Sequence, residues 1–387
     1  MSAGTLVLLI VGGLAGAGLG WRRRTLDAVP ADRPSLATVT VLIPARDEER
    51  RLPRLLASLA AQGEPVAEVI VVDDGSIDRT AEVAAAGGAR VVTAPPPPAG
   101  WAGKPWACRQ GVDASRGSVL VFLDADTWLA PDGLARLVAA HDDLAPNGLL
   151  SVQPHHHVER VYEQLSLFPN VVAILASGMW LPTPLRPRRA EGARPSLSST
   201  RTAGVRERRR GVVAFGPCLV TRREALAAVG GFGAVRGDVL EDVALAAAYQ
   251  RSGRPVAARS GGGTVGFRMY PDGLGQLVEG WTKNLAGGAG RAPLLPTVGV
   301  VLWVAALAAL SVEAMLRPSV WVALAWALGV GQIWWLARRA GTFSPWAALL
   351  FPIPLWAFVA LFLRSAWHRV VRRRVRWRGR AIEVGRR

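Results

Sequence analysis

Two aspartates one residue apart, Asp124 and Asp126, close the apolar run in "VLVFLDADTW". A second acidic pair, Asp73 and Asp74, closes "VIVV", and Arg46, Asp47 and Glu48 follow "VTVLIPA". Carboxylates spaced in this way suit a hard divalent cation, which takes oxygen ligands, needs only one or two protein carboxylates and fills its shell with phosphate oxygens and water. The plainer alternative is that Asp126 caps a helix starting near Pro131 and Asp124 is a solvated turn acid. A further pair, Glu241 and Asp242, opens "VALAAAYQ". It reads either as first-turn acids favoured by the helix dipole or as a general base that takes a proton from an attacking group. Lys104, one of two lysines against 44 arginines, sits in a Gly-Lys-Pro turn. Its compact ammonium suits a diphosphate met as a point charge, or it is an ordinary surface lysine.

These residues fall where the elements carrying them end. Thr38 to Ile43 reads as a β-branched apolar strand, followed by a helix with Leu52, Leu55, Leu56 and Leu59 on one face. "AEVIVVDD" and its sequel repeat the design, with a Gly-Ser turn and a helix closed by Gly87 and Gly88. A third short strand, a proline-rich loop and a helix precede the fourth strand, "SVLVFL". Strands without polar alternation, separated by helices, predict a mostly parallel sheet covered on both faces. Ligands of such sheets bind beyond the carboxyl ends of the strands, which is where the acids lie. Asp124 and Asp126 are then expected on one side of an extended strand end.

Half of the 387 residues are hydrophobic and the mean hydropathy is positive. Four windows, 4 to 20, 298 to 316, 319 to 337 and 343 to 363, approach the roughly 20 apolar residues of a spanning helix. Arg22, Arg23 and Arg24 follow the first, which lacks a convincing cleavage site, so residues 1–21 read as an uncleaved anchor with the following domain on the cytoplasmic side. The net charge of +17 is concentrated. Residues 183–210 hold nine Arg and two Glu, and residues 364–387 hold ten Arg and one Glu. Such runs set topology or attract anionic lipid; no nucleic-acid motif accompanies them, which argues against a nucleic-acid partner. Cys108 and Cys218 have no CxxC spacing and fit a reducing compartment. In extended chain only His155 and His157 of the triple histidine could meet one ion, and no third ligand is identifiable, so a polar cluster is the preferred reading.

The motifs "VTVLIPARDEE", "VIVVDDGSIDRT", "GWAGKPWAC", "VLVFLDADT", "GPCLVTRREALAAVGGF", "VLEDVALA" and "GWTKN" stand in the order and spacing of family 2 inverting glycosyltransferases. They most resemble the membrane-bound branch acting on carotenoic acids and related terpenoid lipids. The resemblance implies an α/β GT-A nucleotide-diphospho-sugar transferase fold over 36–290, with 183–210 as a flexible insertion, membrane segments over 297–363 and a basic cytoplasmic tail over 364–387. It implies that Asp73, with Asp74 and the segment around Arg46 and Glu48, holds the nucleoside, Asp124 the ribose or diphosphate, and Asp126, with Asp124, a Mg²⁺ or Mn²⁺ ion. It also favours Asp242 over Glu241 as base, while Arg268, Trp281 and Lys283 are placed to close over the diphosphate. The family often carries Asn where this chain has Asp47. The Q-x-x-R-W signature of processive synthases is absent, since Gln276 is followed by Leu-Val-Glu-Gly-Trp. The expected activity is transfer of one sugar, glucose, from a nucleoside-diphosphate donor to a carotenoic acid or other terpenoid lipid, in a multi-pass protein of the cell membrane. Hopanoid, polyprenyl-phosphate or glycolipid hydroxyls are alternative acceptors. A nucleotidyltransferase, or a membrane-anchored binding protein with a dead site, is the alternative of another class.

Overall fold

The structure is a computed structural model that describes residues 3–26, 34–181, 214–238, 240–288, 292–372, 374–377 and 380–383. The Arg-rich stretch 183–210 lies outside the described residues.

Helix α1 (Ala3–Gly20) precedes a run of alternating elements. These are β1 (Val39–Ala45), α2 (Leu52–Ala60), β2 (Glu68–Asp73), α3 (Thr80–Ala86), β3 (Arg90–Thr93), α4 (Gly103–Ala114) and β4 (Val119–Leu123). Then follow β5 (Thr127–Leu129), α5 (Gly133–Leu144), β6 (Leu149–Gln153), β7 (His155–His156) and α6 (Leu167–Ser177). Beyond the undescribed stretch come β8 (Cys218–Arg222), α7 (Arg223–Ala228), α8 (Glu241–Arg251), β9 (Val256–Ser260), β10 (Val265–Phe267) and α9 (Leu274–Gly288). The chain ends with α10 (Leu294–Leu316), α11 (Val320–Ala340), α12 (Pro345–Leu349), α13 (Pro352–Trp367) and a hairpin of β11 (Arg374–Trp377) and β12 (Arg380–Glu383).

The main sheet has the order β3-β2-β1-β4-β8-β6-β9. Its first four strands are parallel, as their unbroken apolar sequences require. The mostly parallel expectation is modified on the other side, where β8 runs antiparallel to both β4 and β6. A purely local reading cannot supply that pairing, because β8 lies 95 residues beyond the end of β4 in sequence. Leu52, Leu55, Leu56 and Leu59 of α2 are all buried, as their spacing predicts, and join β1, β4 and α5 in one core layer. On the opposite face α4, α7 and α8 cover Leu42, Ile70, Val72, Leu120 and Phe122.

A separate core joins α6 to the C-terminal helices. Leu167, Phe168, Val171, Ile174 and Trp180 pack with Val300, Trp303, Leu336 and Phe351. Helix α1 lies against α10 so closely that a Cβ at Gly12 would sit 2.5 Å from Ala306 Cβ, a small-residue contact of the kind that lets helices approach in lipid. Among the described residues, α10 and α11 are long and apolar enough to cross a membrane, and α1 is a shorter apolar helix. The fourth window, 343 to 363, is not one continuous helix: it breaks between α12 and α13, each with proline in its first turn.

Candidate active site

All four parallel strands deliver their loops to one rim of the sheet, and a cavity of about 1370 Å³ opens there. Arg46, Glu48, Asp74, Lys104, Asp124, Asp126, Glu241, Asp242, Trp281 and Lys283 all contribute to its wall. Asp73 and Arg268, by contrast, are not among the lining residues.

The β1 and β2 loops are laced together. Asp47 adopts a left-handed backbone (φ 54°), accepts a hydrogen bond from Ile77 N (2.9 Å) and has its own N–H on Ser76 Oγ (3.0 Å). Asn and Asp are the non-glycine residues that tolerate this conformation best, and either side chain offers the oxygen. The Asp-for-Asn departure therefore preserves the turn. Asp73 spends Oδ1 on Ser76, through both N–H (3.0 Å) and hydroxyl. Glu48 braces the start of α2 by accepting from Arg51 (2.8 Å), while its own N–H donates to Thr80 Oγ1 (2.8 Å). Arg46 reaches Asp74 at 4.0 Å, and burial, opposed by Arg46 and helped by Asp73, raises the Asp74 carboxyl above its usual range. The resemblance had Asp73 holding the nucleoside, but in the structure its visible role is to shape the loop.

The DxD segment also differs in detail from an extended strand end. β4 stops at Leu123 and the chain turns, with Thr127 N and Oγ1 both donating to Asp124 O (3.1 and 2.7 Å). Asp124 and Asp126 still face one cavity, but a turn rather than strand alternation brings them there. The helix-cap alternative is removed, because α5 begins at Gly133 with Asp132 at its cap position.

Lys104 links the two acid groups. Its Nζ lies 2.7 Å from Asp124 Oδ1 and 2.8 Å from Glu241 Oε1. The expectation that it stands open for a diphosphate is thus modified: at the start of α4 it ties the β4 turn to the first turn of α8, 137 residues away. Burial alone would raise the Glu241 carboxyl, but the charge and hydrogen bond of Lys104 outweigh it and hold the pKa low. Asp242 lacks that direct bond. Burial, with the charges of Glu241 and Asp124, pushes its pKa up to about 7 against the opposing pull of Lys104. Two adjacent carboxyls are so driven apart, which is how a pair acquires one permanent anion and one proton acceptor near neutral pH.

Gly216 was missed as a site residue, although it opens the quoted "GPCLVTRREALAAVGGF". A Cβ there would lie 3.2 Å from Asp242 Oδ2 and 3.3 Å from Lys104 Nζ, so the backbone passes where a side chain would press on both. Arg268 is held by the buried Glu163 (2.7 Å) and by Glu159, away from the cavity wall, which modifies the expectation that it closes over a diphosphate. Trp281 donates its indole N–H to Ser166 Oγ (2.9 Å) and meets Tyr270 edge-on, so it anchors α9. Lys283 lines the cavity and its charge helps to keep Glu241 ionised.

The histidines pair in a small sheet, β5-β10-β7. Burial, with His155 and His157 nearby, lowers His156 to about 3, and Asn170 donates to its Nδ1 (2.7 Å). His155 and His157 meet edge-on at 5.6 Å. No group of three or more His, Cys, Asp or Glu side chains placed for a metal occurs among the described residues. Cys108 and Cys218 are buried free thiols whose pKa burial pushes up, which leaves them unreactive.

The sheet order, the acid-lined rim and the turn after β4 define a GT-A glycosyltransferase. The family described as glycosyl transferase family 2 matches residues 40–230. The chain is 34% identical over 355 residues to 4,4'-diaponeurosporenoate glycosyltransferase of Staphylococcus aureus strain USA300, covering 89% of this chain and 88% of that one. The enzyme of the same name from strain MRSA252 matches with the same identity and coverage. The fold is similar to that of the mannosyltransferase PcManGT from Pyrobaculum calidifontis, solved with GDP-Man and Mn²⁺, with a TM-score of 0.54, 18% identity and 96% of each chain covered. The chain belongs to glycosyl transferase family 2 and is a glycosyltransferase.

Proposed function

We propose that the protein transfers a single hexose, glucose, from a nucleoside-diphosphate donor to a long apolar acceptor, a carotenoic acid or another terpenoid lipid, with inversion at the anomeric carbon. The observation that carries this reading is the composition of the acid-lined cavity. Its floor is the acid cluster, while its far wall consists of Val300, Val304, Val359 and Phe362 from α10 and α13, the apolar C-terminal helices. At the mouth, Val301 (60% exposed) and Leu363 (62% exposed) leave an apolar opening that water would not favour but lipid would. The relative named for 4,4'-diaponeurosporenoate, a carboxylate by its name, supports an acceptor of this class.

In the proposed reaction the acceptor oxygen attacks the anomeric carbon from the face opposite the leaving group, and the bond to the nucleoside diphosphate breaks. A hydroxyl acceptor gives its proton to Asp242, whose pKa of about 7 leaves a substantial ionised fraction at neutral pH. Asp126, with Asp124, would hold a divalent cation, Mg²⁺ or Mn²⁺; Oδ1 of Asp124 engages Lys104. With one or two carboxylates and no third protein ligand among the described residues, this donor set suits an ion that fills its shell with diphosphate oxygens. When bound, such an ion neutralises charge on the leaving diphosphate. Arg46, Glu48, Asp73 and Asp74 shape the nucleoside end of the cleft.

A second reading, with a hydroxyl of a hopanoid, polyprenyl or glycolipid acceptor, is favoured by the raised pKa of Asp242, because only a hydroxyl needs a base. For topology, α1, α10 and α11 cross the membrane and α12–α13 lies along it, which keeps both the catalytic domain and the Arg-rich C-terminal segment on the cytoplasmic side of the cell membrane. Anionic lipid is the proposed partner of both Arg-rich stretches, 183–210 and 364–387. Incubating membranes that contain the protein with labelled UDP-glucose, with the other nucleoside-diphosphate sugars in parallel, and analysing the extracted lipid tests the reaction. Label in a terpenoid lipid with release of nucleoside diphosphate is the expected result. Transfer of nucleotide, or donor binding without turnover, would overturn it.

A further inference from the structure

A second cavity, of about 470 Å³, lies away from the catalytic cleft behind the β5-β10-β7 sheet. Arg23, Trp128, His155, His157, Thr264 and Thr342 contribute side chains to it, and Gly262 and Gly263 give it a backbone wall. Two polar atoms at its wall are left over. Arg23 Nε and His155 Nδ1 are both enclosed and neither has a hydrogen-bond partner.

Among the described residues the charges around it do not balance. Arg23 has Arg339 as a neighbour, and burial followed by that like charge lowers its pKa from the usual arginine value. Arg54 stacks over Trp128 (3.2 Å from the ring centroid) and weighs on His157. Burial, then His157 and Arg23, lowers His155 to about 4, so its ring is neutral at pH 7 and can donate from Nδ1. Among the described residues the carboxylate that acts on His157 is Glu159, which is already shared with Arg54 (3.8 Å) and Arg268. A half-buried guanidinium with no carboxylate partner among the described residues gains from an anion supplied from outside the chain.

Arg23 is also held in place rather than trailing in solvent. Arg22 N donates to Trp180 O (3.2 Å), Arg24 Nη2 to Leu181 O (3.3 Å), and Ser260 N to Arg24 O (2.7 Å). Gly262, at φ 55°, brings the opposite wall so near that a Cβ would meet Arg23 Nη2 at 3.2 Å. Position identifies the source of an anion. Arg23 comes three residues after the end of α1 and Thr342 two after the end of α11, so the chamber lies where two apolar helices reach their polar boundary.

We propose that this chamber binds a phosphate group, that of an anionic phospholipid headgroup, with the Arg23 guanidinium and His155 Nδ1–H as its donors. It is a lipid site separate from the acceptor cleft, and it stands whether or not the acceptor is a terpenoid.

The test uses full-length protein in an uncharged detergent, with thermal unfolding followed against dioctanoyl phosphatidylglycerol, dioctanoylglycerol and inorganic phosphate. Phosphatidylglycerol should raise the midpoint of the wild type in a saturable way, and dioctanoylglycerol should not. Both Arg23→Gln and His155→Phe should weaken the apparent affinity about tenfold or more, the scale of a lost charge-assisted hydrogen bond. The second variant keeps a ring in the wall and guards against a folding defect in the first. Saturable binding of inorganic phosphate with no advantage for the lipid would keep the phosphate site but overturn the lipid source. Equal stabilisation by dioctanoylglycerol, or unchanged affinity in the folded variants, would overturn the site itself.

Discussion

The two ends of the catalytic cavity are built on different principles. At one end Asp124, Lys104 and Glu241 form an ion-paired chain with Nζ–O distances of 2.7 and 2.8 Å, and Asp242 stands beside it with a displaced pKa. At the other, Val172, Ala176, Val300, Val304 and Phe362 present apolar surface to the cavity. Charge interactions in an enclosed site are sensitive to ångström displacements and to the removal of one partner. Apolar walls select mainly by width and length, and discriminate by only about 1–3 kcal/mol per methylene. The polar end should therefore fail completely when touched, whereas the apolar end should shift preference.

The largest effect is expected from Asp126→Asn, which removes the proposed oxygen ligand while leaving a side chain of the same size. Transfer should be abolished with the unfolding midpoint nearly unchanged, and excess chelator should do the same to the wild type. Full activity in chelator would end the metal assignment and reduce the polar end to electrostatics alone.

Next is Asp242→Asn, measured with two acceptors. A positioned base contributes roughly a hundred- to ten-thousand-fold, so turnover of a hydroxyl lipid should fall by that factor. A carboxylic acid, with a pKa near 4.3, is already ionised at neutral pH, and its transfer should fall much less. The pH profile has a definite sign. Because the Asp242 pKa is raised to about 7, wild-type transfer to a hydroxyl should rise as pH climbs through 7. Folding stability should run the other way between about pH 4 and 7, since there the folded state holds a proton that the unfolded chain releases. An equally severe loss with both acceptors would show that Asp242 serves the donor or the fold.

At the apolar end, Val304→Trp should narrow the channel. Transfer to a long terpenoid should drop by up to about a hundredfold, the scale of an ångström-level misplacement of substrate. A short-chain soluble analogue should react nearly as before. If both acceptors lose activity in parallel, the wall formed by α10 is not the acceptor's route.

This contrast also separates what the sequence announces from what it conceals. The four parallel strands, the leucine face of α2 and the acids at the strand ends are signals within a single segment, and apolar periodicity is enough to find them. The left-handed backbone of Asp47 is a local preference of Asp and Asn, but the bonds that fix the turn go to Ser76 and Ile77 on the next loop. The partners of Lys104 and Arg268 are not local: Glu241 is 137 residues from Lys104, and Glu163 is 105 from Arg268. Both cations look available for a diphosphate when only their neighbours in sequence are considered. The antiparallel β8 and the apolar wall escape notice for the same reason, since each is assembled from segments far apart in the chain.

The smallest effect belongs to the membrane-facing bundle, where Gln332 is its own polar link. Its Oε1 accepts from the Trp303 indole (2.8 Å) and its Nε2 donates to Gly13 O (2.7 Å), joining α11 to α10 and α1. In lipid an orphaned donor has no water to turn to, which suggests a large penalty for Gln332→Leu. The unfolded helices find other partners within the bilayer, however, and measured interhelical hydrogen bonds are worth only about 0.6 kcal/mol, with an upper end near 2. Leucine also restores apolar packing in the space vacated. Gln332→Leu should then reduce stability by about 1 kcal/mol in a detergent-denaturation titration, with donor KM unchanged because the carboxylate chain lies in another core. A loss of several kcal/mol, or a raised donor KM, would mean that the bundle holds the polar end in shape, and that the two ends of the cavity are one mechanical unit.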